Sequence, residues 1–344
     1  MQTTHRVVVG DARDLDLEDD SVELVVTSPP YPMIEMWDET FAALDPAVDE
    51  RLDAGDGMGA FRLMHDVLGA VWEEVARVVA PNGVVCVNVG DATRSVNGEF
   101  RSYPNHAAVT DWFVEHGFSP LPDVLWRKPT NSAAKFMGSG MLPPNAYVTL
   151  EHEYVLVFRN GGTRSPDPDR RYRSAYFWEE RNEWFSDVWT DVQGREQALD
   201  GAARDRTAAF PLAIPYRLVN MYSVQGDTVL DPFWGTGTTT LAAMASGRSS
   251  VGYEREPDLL AAFEDEVAGV RELAADVNGD RLAAHRAFVE QRREQGDDLG
   301  YTAEQYGFPV MTKQERRIRL PSVESVRRTG EREWVVEHGV FGGA

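Results

Sequence analysis

The chain has 344 residues, of which 42% are hydrophobic and 10% aromatic, and it carries a formal net charge of −22. This length can form one large domain with insertions, and no apolar run is long enough to predict a membrane-spanning helix. The first residues contain no apolar signal core and the single cysteine, Cys86, lies in an apolar run, so we expect a cytoplasmic protein without a disulfide or a cysteine-based zinc site.

The composition is acidic and poor in lysine, with only three lysines among 34 basic residues. An acidic surface normally disfavours a nucleic-acid partner. The composition also resembles that of halophilic proteins from salt-accumulating haloarchaea, and at molar salt a Debye length of about 3 Å removes most repulsion between such a surface and DNA. Charge therefore does not exclude DNA here, although a GC-rich genome would also favour arginine over lysine.

Apolar runs and periodic patterns alternate along the first 158 residues. Three continuous runs, at 7–9, 22–26 and 84–89, are typical of parallel strands covered on both faces. Apolar residues spaced by three and four over 61–79 predict a helix that ends at 81–83. A second helix is predicted at 107–115, and further strands are predicted at 124–126 and 154–158.

The periodic pattern is lost over 159–205, which we interpret as an inserted target-recognition segment. Its aromatics and arginines favour base stacking and phosphate contacts, although aromatics packed on the main domain are the alternative. The predicted DNA contacts are Arg159, Arg164, Arg170, Arg171 and Arg173.

Regular structure returns after this segment, with predicted helices at 211–222 and 239–245 and strands at 228–230 and 250–253. A long amphipathic helix is predicted after the strand at 250–253, with its apolar stripe over 260–277. The last 45 residues are polar and are predicted to be irregular. We divide the chain into a catalytic half (1–158), the insert (159–205), a cofactor-binding half (206–296) and a C-terminal extension of unknown role (297–344).

The strand–helix alternation predicts a doubly wound, Rossmann-like α/β sheet. The loop most like a nucleotide-binding first turn lies near residue 235 rather than near the N-terminus. If this loop follows the first strand of the topology, the chain is circularly permuted. The chain then begins at the third strand of the unpermuted topology and ends with the first two strands of that topology.

The glycine loop, residues 231–238, has the sequence Asp-Pro-Phe-Trp-Gly-Thr-Gly-Thr between a predicted strand and a predicted helix. Gly235 and Gly237 allow close approach of a ligand, and the helix start offers free N–H groups. Thr240 replaces the third glycine of the dinucleotide fingerprint, and no P-loop lysine follows. Glu254 ends the next strand, where a carboxylate can accept from ribose hydroxyls. Asp11 is placed either to accept from an adenine amino group or to form a turn.

The segment Thr27-Ser28-Pro29-Pro30-Tyr31, which we call the clamp, follows a buried strand at the edge where open α/β sheets bind ligands. Its prolines fix φ and remove two N–H donors, which leaves a rigid strip with outward carbonyls. The exocyclic amine of cytosine or adenine is a poor nucleophile, because its lone pair is delocalised into the ring. The Ser28 hydroxyl and the Pro29 carbonyl can accept its two hydrogens and turn the lone pair towards a methyl donor, while Tyr31 stacks on an extruded base. A proline-rich strand terminator is the alternative.

The order of these motifs, clamp first and glycine loop last, resembles the β group of DNA amino-methyltransferases that use S-adenosylmethionine. The resemblance spans residues 5–257 and is carried by residues 10–11, 28–31, 88–91, 125–129, 152–154, 209–211 and 231–238. It implies double-stranded DNA as substrate and methyl transfer without a covalent intermediate. It also implies a cofactor pocket, to which we assign Asp11, Phe210, Pro211, Asp231, Phe233, Gly235, Gly237, Thr238 and Glu254.

Serine at position 28, where adenine-directed members more often carry aspartate or asparagine, resembles the cytosine-N4 branch. Together with the acidic composition, it is similar to the haloarchaeal methylases that modify CTAG sites. Adenine-N6 methylation is the alternative, and an RNA substrate is weaker because no known RNA-binding module is visible. From other classes, the incomplete fingerprint disfavours a nucleotide-cofactor oxidoreductase, and the intact clamp disfavours a silent DNA-binding protein.

The scattered histidines form no His-x-Glu-x-His-type ligand set, so no metal is expected. The basic segment 313–332 leaves three roles open: contact with DNA, packing against the acidic helix, or pairing of two subunits into a homodimer. The recognition sequence and the presence of a cognate restriction endonuclease also stay open.

Overall fold

The computed structural model describes residues 1–128, 137–192, 210–297 and 299–342. The helices are α1 (Asp38–Leu44), α2 (Ala47–Asp53), α3 (Gly57–Val78), α4 (Asn105–Glu115), α5 (Pro168–Arg173), α6 (Trp178–Trp184), α7 (Ala213–Tyr222), α8 (Thr238–Ser246) and α9 (Asp258–Glu294), with 3-10 turns at Glu35–Trp37 and Lys313–Arg317. The strands are β1 (Gln2–Val9), β2 (Val22–Thr27), β3 (Val79–Val89), β4 (Ala92–Val96), β5 (Glu99–Tyr103), β6 (Ser119–Pro120), β7 (Val124–Arg127), β8 (Met137–Gly138), β9 (Ala146–Tyr147), β10 (His152–Arg159), β11 (Val188–Trp189), β12 (Thr228–Asp231), β13 (Ser249–Glu254), β14 (Tyr301–Thr302), β15 (Pro309–Val310), β16 (Pro321–Gly330) and β17 (Glu333–Val340).

One large sheet organises the chain, in the order β11-β7-β10-β3-β2-β12-β13-β1-β17-β16. Its centre is parallel, with β3, β2, β12, β13 and β1 running in one direction. The late strands β12 and β13 lie between the early strands β2 and β1. This arrangement confirms the predicted doubly wound α/β sheet in its circularly permuted form.

The continuous apolar runs follow from burial on both faces of the central strands. In β2, Val25 packs in the core cluster that contains α3, whereas Leu24 and Val26 pack in the opposite cluster that contains α7. In β3, Val85 and Cys86 divide in the same way. Because successive side chains of a strand point to opposite faces, both faces need apolar residues when helices cover both.

The expectation of an irregular C-terminal extension is wrong. Within it, β16 and β17 form an antiparallel hairpin, and β17 extends the sheet by pairing with β1, with His5 opposite Trp334. The alternation of this hairpin is hard to see in the sequence because a register shift between Val323 and Ser325 interrupts it. The helix α9 packs against β16, so this part of the chain continues the main core.

The insert also has regular structure over the residues that are described. Residues 159–192 contain α5, α6 and β11, while 193–205 lie outside the described residues. The helix α6 is fixed to α9 by a buried ion pair in which Arg281 Nη2 lies 2.8 Å from Glu180 Oε2. In the described part of the chain, no helix is long and apolar enough to cross a membrane.

Candidate functional site

The predicted site residues meet because they follow parallel strands. The clamp follows β2, the glycine loop follows β12, Glu254 ends β13 and Asp11 follows β1. All four strands are parallel and neighbouring, so their carboxyl ends meet at one edge of the sheet. The structure thereby brings the two halves of the predicted site together, although about 200 residues separate them in the sequence.

A buried hydrogen bond joins the clamp to the glycine loop. Thr27 Oγ1 donates to Asp231 Oδ1 over 2.7 Å, and the Phe233 N–H donates to the same oxygen over 3.1 Å. Burial raises the pKa of Asp231 to about 6, although the Thr27 hydroxyl acts in the opposite direction. One carboxyl group therefore fixes the end of β2 and the start of the glycine loop in a single arrangement.

The loop needs glycine at two positions for different structural reasons. Both have left-handed backbones, with φ of 56° at Gly235 and 82° at Gly237. A Cβ on Gly237 would lie 2.4 Å from Phe263 and 2.6 Å from Trp234, so buried rings exclude a side chain there. A Cβ on Gly235 would meet only a backbone oxygen at 3.9 Å. Gly235 thus leaves open space beside the loop, where a ligand can approach the backbone.

Glu254 holds the glycine loop from the next strand. One carboxylate oxygen accepts from the Gly235 N–H over 2.8 Å, and the other accepts from the N–H groups of Arg255 and Glu256. Burial raises the pKa of this carboxyl group. A carboxylate oxygen has more than one lone pair, so these bonds leave capacity for a ligand hydroxyl.

Five further residues are predicted to bind the cofactor. Asp11 is engaged by Arg13, whose Nη2 lies 2.8 Å from Oδ2, and these hydrogen bonds lower the pKa of Asp11. Phe233 packs edge-on against Trp72, with ring centroids 5.7 Å apart. Three others are placed by their burial: Phe210 in the core cluster on the α7 side, Pro211 half-buried beside it, and Thr238 buried at the start of α8.

The clamp ends in a polar network that was not predicted. Tyr31 Oη lies 3.1 Å from Ser28 Oγ and donates to Glu153 Oε2 over 3.0 Å. Asn88 Nδ2 donates to both Tyr31 Oη and Glu153 Oε2 over 2.8 Å, and Lys128 Nζ donates to Glu153 Oε1 over 2.7 Å. Burial, with Glu153 alongside, raises the pKa of Tyr31 well above its usual value. The Tyr31 hydroxyl is therefore a neutral link between Ser28 and a nearly buried carboxylate.

The chain just after the clamp is held by a second buried amide. Pro29 is buried and Pro30 half-buried. The fully buried Asn105 donates through Nδ2 to the carbonyls of Pro32 at 3.1 Å and Gly90 at 2.9 Å. This side chain fixes the chain after the clamp to the end of β3. In the described ranges, no cluster of three or more His, Cys, Asp or Glu side chains could hold a metal ion.

The structure does not bring the predicted DNA-contacting arginines to the clamp. Arg164 and Arg170 both pair with Asp227, which precedes β12 and so lies at the amino edge of the sheet. Arg173 pairs with Asp169, and Arg171 lies on the same helix, α5. Arg159 ends β10, which is antiparallel to β3 and therefore ends at the amino edge too. Ion pairing with the protein's own carboxylates thus accounts for Arg164, Arg170 and Arg173.

Replacing Asp227 by asparagine should lower the free energy of unfolding by about 3 kcal/mol, because it leaves two arginines without their shared, buried carboxylate. Denaturant unfolding measures this change. Asp111→Asn, at an exposed position on α4, is the control and should leave the free energy within about 0.5 kcal/mol. Equal stability of the two variants would contradict the structural role given to Arg164 and Arg170.

Comparison with known proteins gives a consistent result. A family model described as DNA methylase matches residues 22–265. The chain is 49% identical over 327 residues to the type II methyltransferase M.MthZI of Methanothermobacter thermautotrophicus, covering 93% of this chain and 91% of that protein. It is 49% identical over 279 residues to the type II methyltransferase M.MjaI of Methanocaldococcus jannaschii, covering 77% of this chain and 91% of that protein.

A solved structure is similar as well. TTHA0409 from Thermus thermophilus, a candidate DNA modification methylase crystallised with S-adenosyl-L-methionine, is 31% identical, with a TM-score of 0.61 over 77% of this chain and 94% of that chain. The match to M.MthZI over 93% of the chain necessarily includes most of the segment after Asp258. Similarity to relatives thus extends beyond the motifs visible in the sequence.

Proposed function

This chain belongs to the N6/N4 DNA methylase family, and on that premise we propose that it transfers a methyl group from S-adenosylmethionine to N4 of an extruded cytosine in duplex DNA. The observation that carries the proposal is the hydrogen bond between Thr27 and Asp231. It places the clamp beside the glycine loop, so a base held by one lies next to a cofactor held by the other. The names of the relatives, which are type II methyltransferases, support a role beside a cognate restriction endonuclease.

The open space beside Gly235 and the carboxylate of Glu254 suit the cofactor. When bound, S-adenosylmethionine would supply a methyl group whose carbon accepts an electron pair from an amine, while the positively charged sulfur leaves with the C–S electron pair as a neutral thioether. The free left-handed backbone at Gly235 allows close contact, and Glu254 is the proposed acceptor for ribose hydroxyls. These residues bind and orient; they do not take part in bond making.

Ser28 and Pro29 are the groups proposed to orient the amine. The Ser28 hydroxyl oxygen and the Pro29 carbonyl accept one N4 hydrogen each, which turns the nitrogen lone pair out of conjugation and towards the methyl group. Catalysis of this kind rests on positioning and on fixed dipoles. The preference for cytosine over adenine rests on serine at position 28, as in the cytosine-N4 branch that the motifs resemble.

Methyl transfer leaves a positive charge on N4, which is neutralised when the amine loses a proton. The network beyond the clamp offers a path for that proton. Ser28 Oγ can take it while passing its own proton to Tyr31 Oη, which passes its proton to Glu153 Oε2. Lys128 and Asn88 keep Glu153 in place as the final acceptor. The relay needs no covalent intermediate and no metal.

The product identifies the reaction. Plasmid DNA is incubated in high salt with the enzyme and deuterium-labelled S-adenosylmethionine, digested to nucleosides and analysed by mass spectrometry. The proposal predicts labelled N4-methylcytosine. N6-methyladenine as the only product would replace cytosine by adenine as the target, and 5-methylcytosine would contradict direct transfer to an amine.

Replacing Glu153 by glutamine should lower kcat by roughly 100-fold, because the amide keeps the shape of the carboxylate but does not accept the relayed proton. Single-turnover methylation measures the rate, and calorimetry should show unchanged affinity for S-adenosylmethionine. Glu151→Gln is the matched control. Glu151 lies two residues before Glu153, but its side chain pairs with Arg127 and does not reach the clamp. If the Glu153→Gln enzyme methylates DNA at the rate of this control, Glu153 takes no part in the reaction.

A further inference from the structure

The connection between β7 and β10 is unusual in its charge. No acidic residue occurs between Asp123 and Glu151, in a chain with 56 acidic residues, and this stretch contains two of the three lysines. We call residues 137–150, the described part of this connection, the arm. Acidic side chains are distributed over the rest of the sequence, so the arm is a surface that a polyanion can approach without direct repulsion.

The connection that contains the arm begins and ends beside the clamp. The backbone of Lys128, just after β7, donates to the Glu151 carbonyl over 2.9 Å, just before β10. The Lys128 side chain also donates to Glu153, which accepts from Tyr31 of the clamp. Both ends of the connection are therefore tied to the network that orients Ser28, at the edge of the sheet where the base must enter.

The arm exposes large apolar side chains to solvent. Met141 is 85% exposed, Leu142 70% and Val148 82%, which are the highest exposures among the large hydrophobic residues in the described chain. Tyr147 stacks on Phe100 of β5, with ring centroids 4.8 Å apart and the planes within 10° of parallel. This contact braces the arm against the β4–β5 hairpin, which itself begins just after the carboxyl end of β3.

We propose that the arm lies against duplex DNA, with Met141, Leu142 and Val148 packed on the bases and sugars beside the extruded cytosine. The inference rests on the proposed function, because it takes duplex DNA as the substrate. Three observations favour DNA as the occupant: the absence of acidic residues, the anchoring beside the clamp and the exposed apolar side chains. Apolar side chains inserted at base steps stabilise distorted duplexes and need no counterion release. The arm is thus a DNA-contacting surface at the edge of the sheet that carries the clamp.

Cysteine protection tests this directly, because the single native cysteine, Cys86, is fully buried. Leu142→Cys is alkylated with a maleimide, with and without saturating duplex plasmid DNA, in the presence of S-adenosylhomocysteine to prevent turnover. Val114→Cys, on α4 at 47% exposure, is the control. DNA should slow alkylation of the Leu142→Cys enzyme by at least about tenfold and leave the control unchanged. Equal rates with and without bound DNA at Leu142→Cys would overturn the proposal.

A second variant measures the effect on the reaction. The triple substitution Met141→Ser, Leu142→Ser and Val148→Ser removes exposed apolar groups, so it should leave thermal stability unchanged. The KM for duplex DNA should rise by at least about tenfold, with unchanged affinity for S-adenosylmethionine. An unchanged KM for DNA would contradict the role of the arm. If the wild-type product is N6-methyladenine, the assignment of cytosine is wrong, while protection of Leu142→Cys by DNA still supports contact between the arm and DNA. If the product is N4-methylcytosine and DNA gives no protection, only the proposal for the arm is wrong.

Discussion

Ser28→Ala is expected to lower kcat by about 100-fold, while affinity for S-adenosylmethionine changes by less than about twofold. The serine hydroxyl is proposed both to accept an amine hydrogen and to begin the proton path through Tyr31. Alanine removes both functions. The side chain is not a contact of the glycine loop, so the cofactor should bind as before.

Rapid-quench methylation and calorimetry separate the two effects. Ser21→Ala is a control of the same chemistry, because Ser21 donates to the Glu18 carbonyl on the surface before β2. Its kcat should match that of the wild type. A Ser28→Ala enzyme that keeps full turnover would show that the clamp does not orient the amine through this hydroxyl.

Gly235→Val is expected to have the opposite pattern, with the Kd for S-adenosylmethionine raised by at least about 100-fold, or roughly 2.7 kcal/mol. A β-branched side chain is strained at the φ of 56°, and it would fill the space beside the loop. Calorimetric titration with S-adenosylmethionine measures the loss. Turnover at saturating cofactor, where it can be reached, should fall less than in Ser28→Ala.

Gly117→Val separates backbone strain from blocked binding. Gly117 follows α4 with a φ of 86°, and a Cβ there meets nothing within 4 Å. This control should lose stability as Gly235→Val does, but should bind S-adenosylmethionine with the affinity of the wild type. If both variants bind the cofactor equally well, Gly235 does not face the cofactor.

Much of the central sheet could be predicted because its strands are buried on both faces. Runs such as 84–89 are almost entirely apolar, and a parallel strand covered by helices needs that pattern. The position of the glycine loop near Gly235 then predicted the permutation. The hairpin β16–β17 was missed because one of its faces is polar and a register shift breaks its alternation.

The candidate site could be predicted only for residues that come directly after a predicted strand. Ser28 and Gly235 were identified because each follows a strand, and carboxyl ends of parallel strands meet. The bonds of Tyr31 to Asn88 and Glu153 join residues 57 and 122 positions apart, and no local pattern specifies such contacts. One signal was available for Glu153: a single carboxylate in an otherwise apolar strand is rarely buried without a partner.

Arg164 and Arg170 show a different limit, because a local pattern that favours a DNA interface also occurs where arginines make contacts within the fold. A cluster of arginines is the same in sequence whether its partner is a phosphate or a carboxylate. Asp227, more than 50 residues later, occupies Arg164 and Arg170. The arm has no charged residue, so no charge pattern predicts it as an interface, although its lack of acidic residues is visible in the sequence.

The central claim is that the clamp and the glycine loop form one site, in which an amine on an extruded base meets the methyl donor. A crystal structure with duplex DNA and a non-reactive analogue of S-adenosylmethionine tests it most directly. The account predicts a cytosine outside the duplex, with its N4 hydrogen-bonded to Ser28 Oγ and to the Pro29 carbonyl. The N4 atom should lie about 3–3.5 Å from the position of the methyl carbon. A cofactor bound away from the glycine loop, or a base whose N4 points away from the clamp, would contradict it.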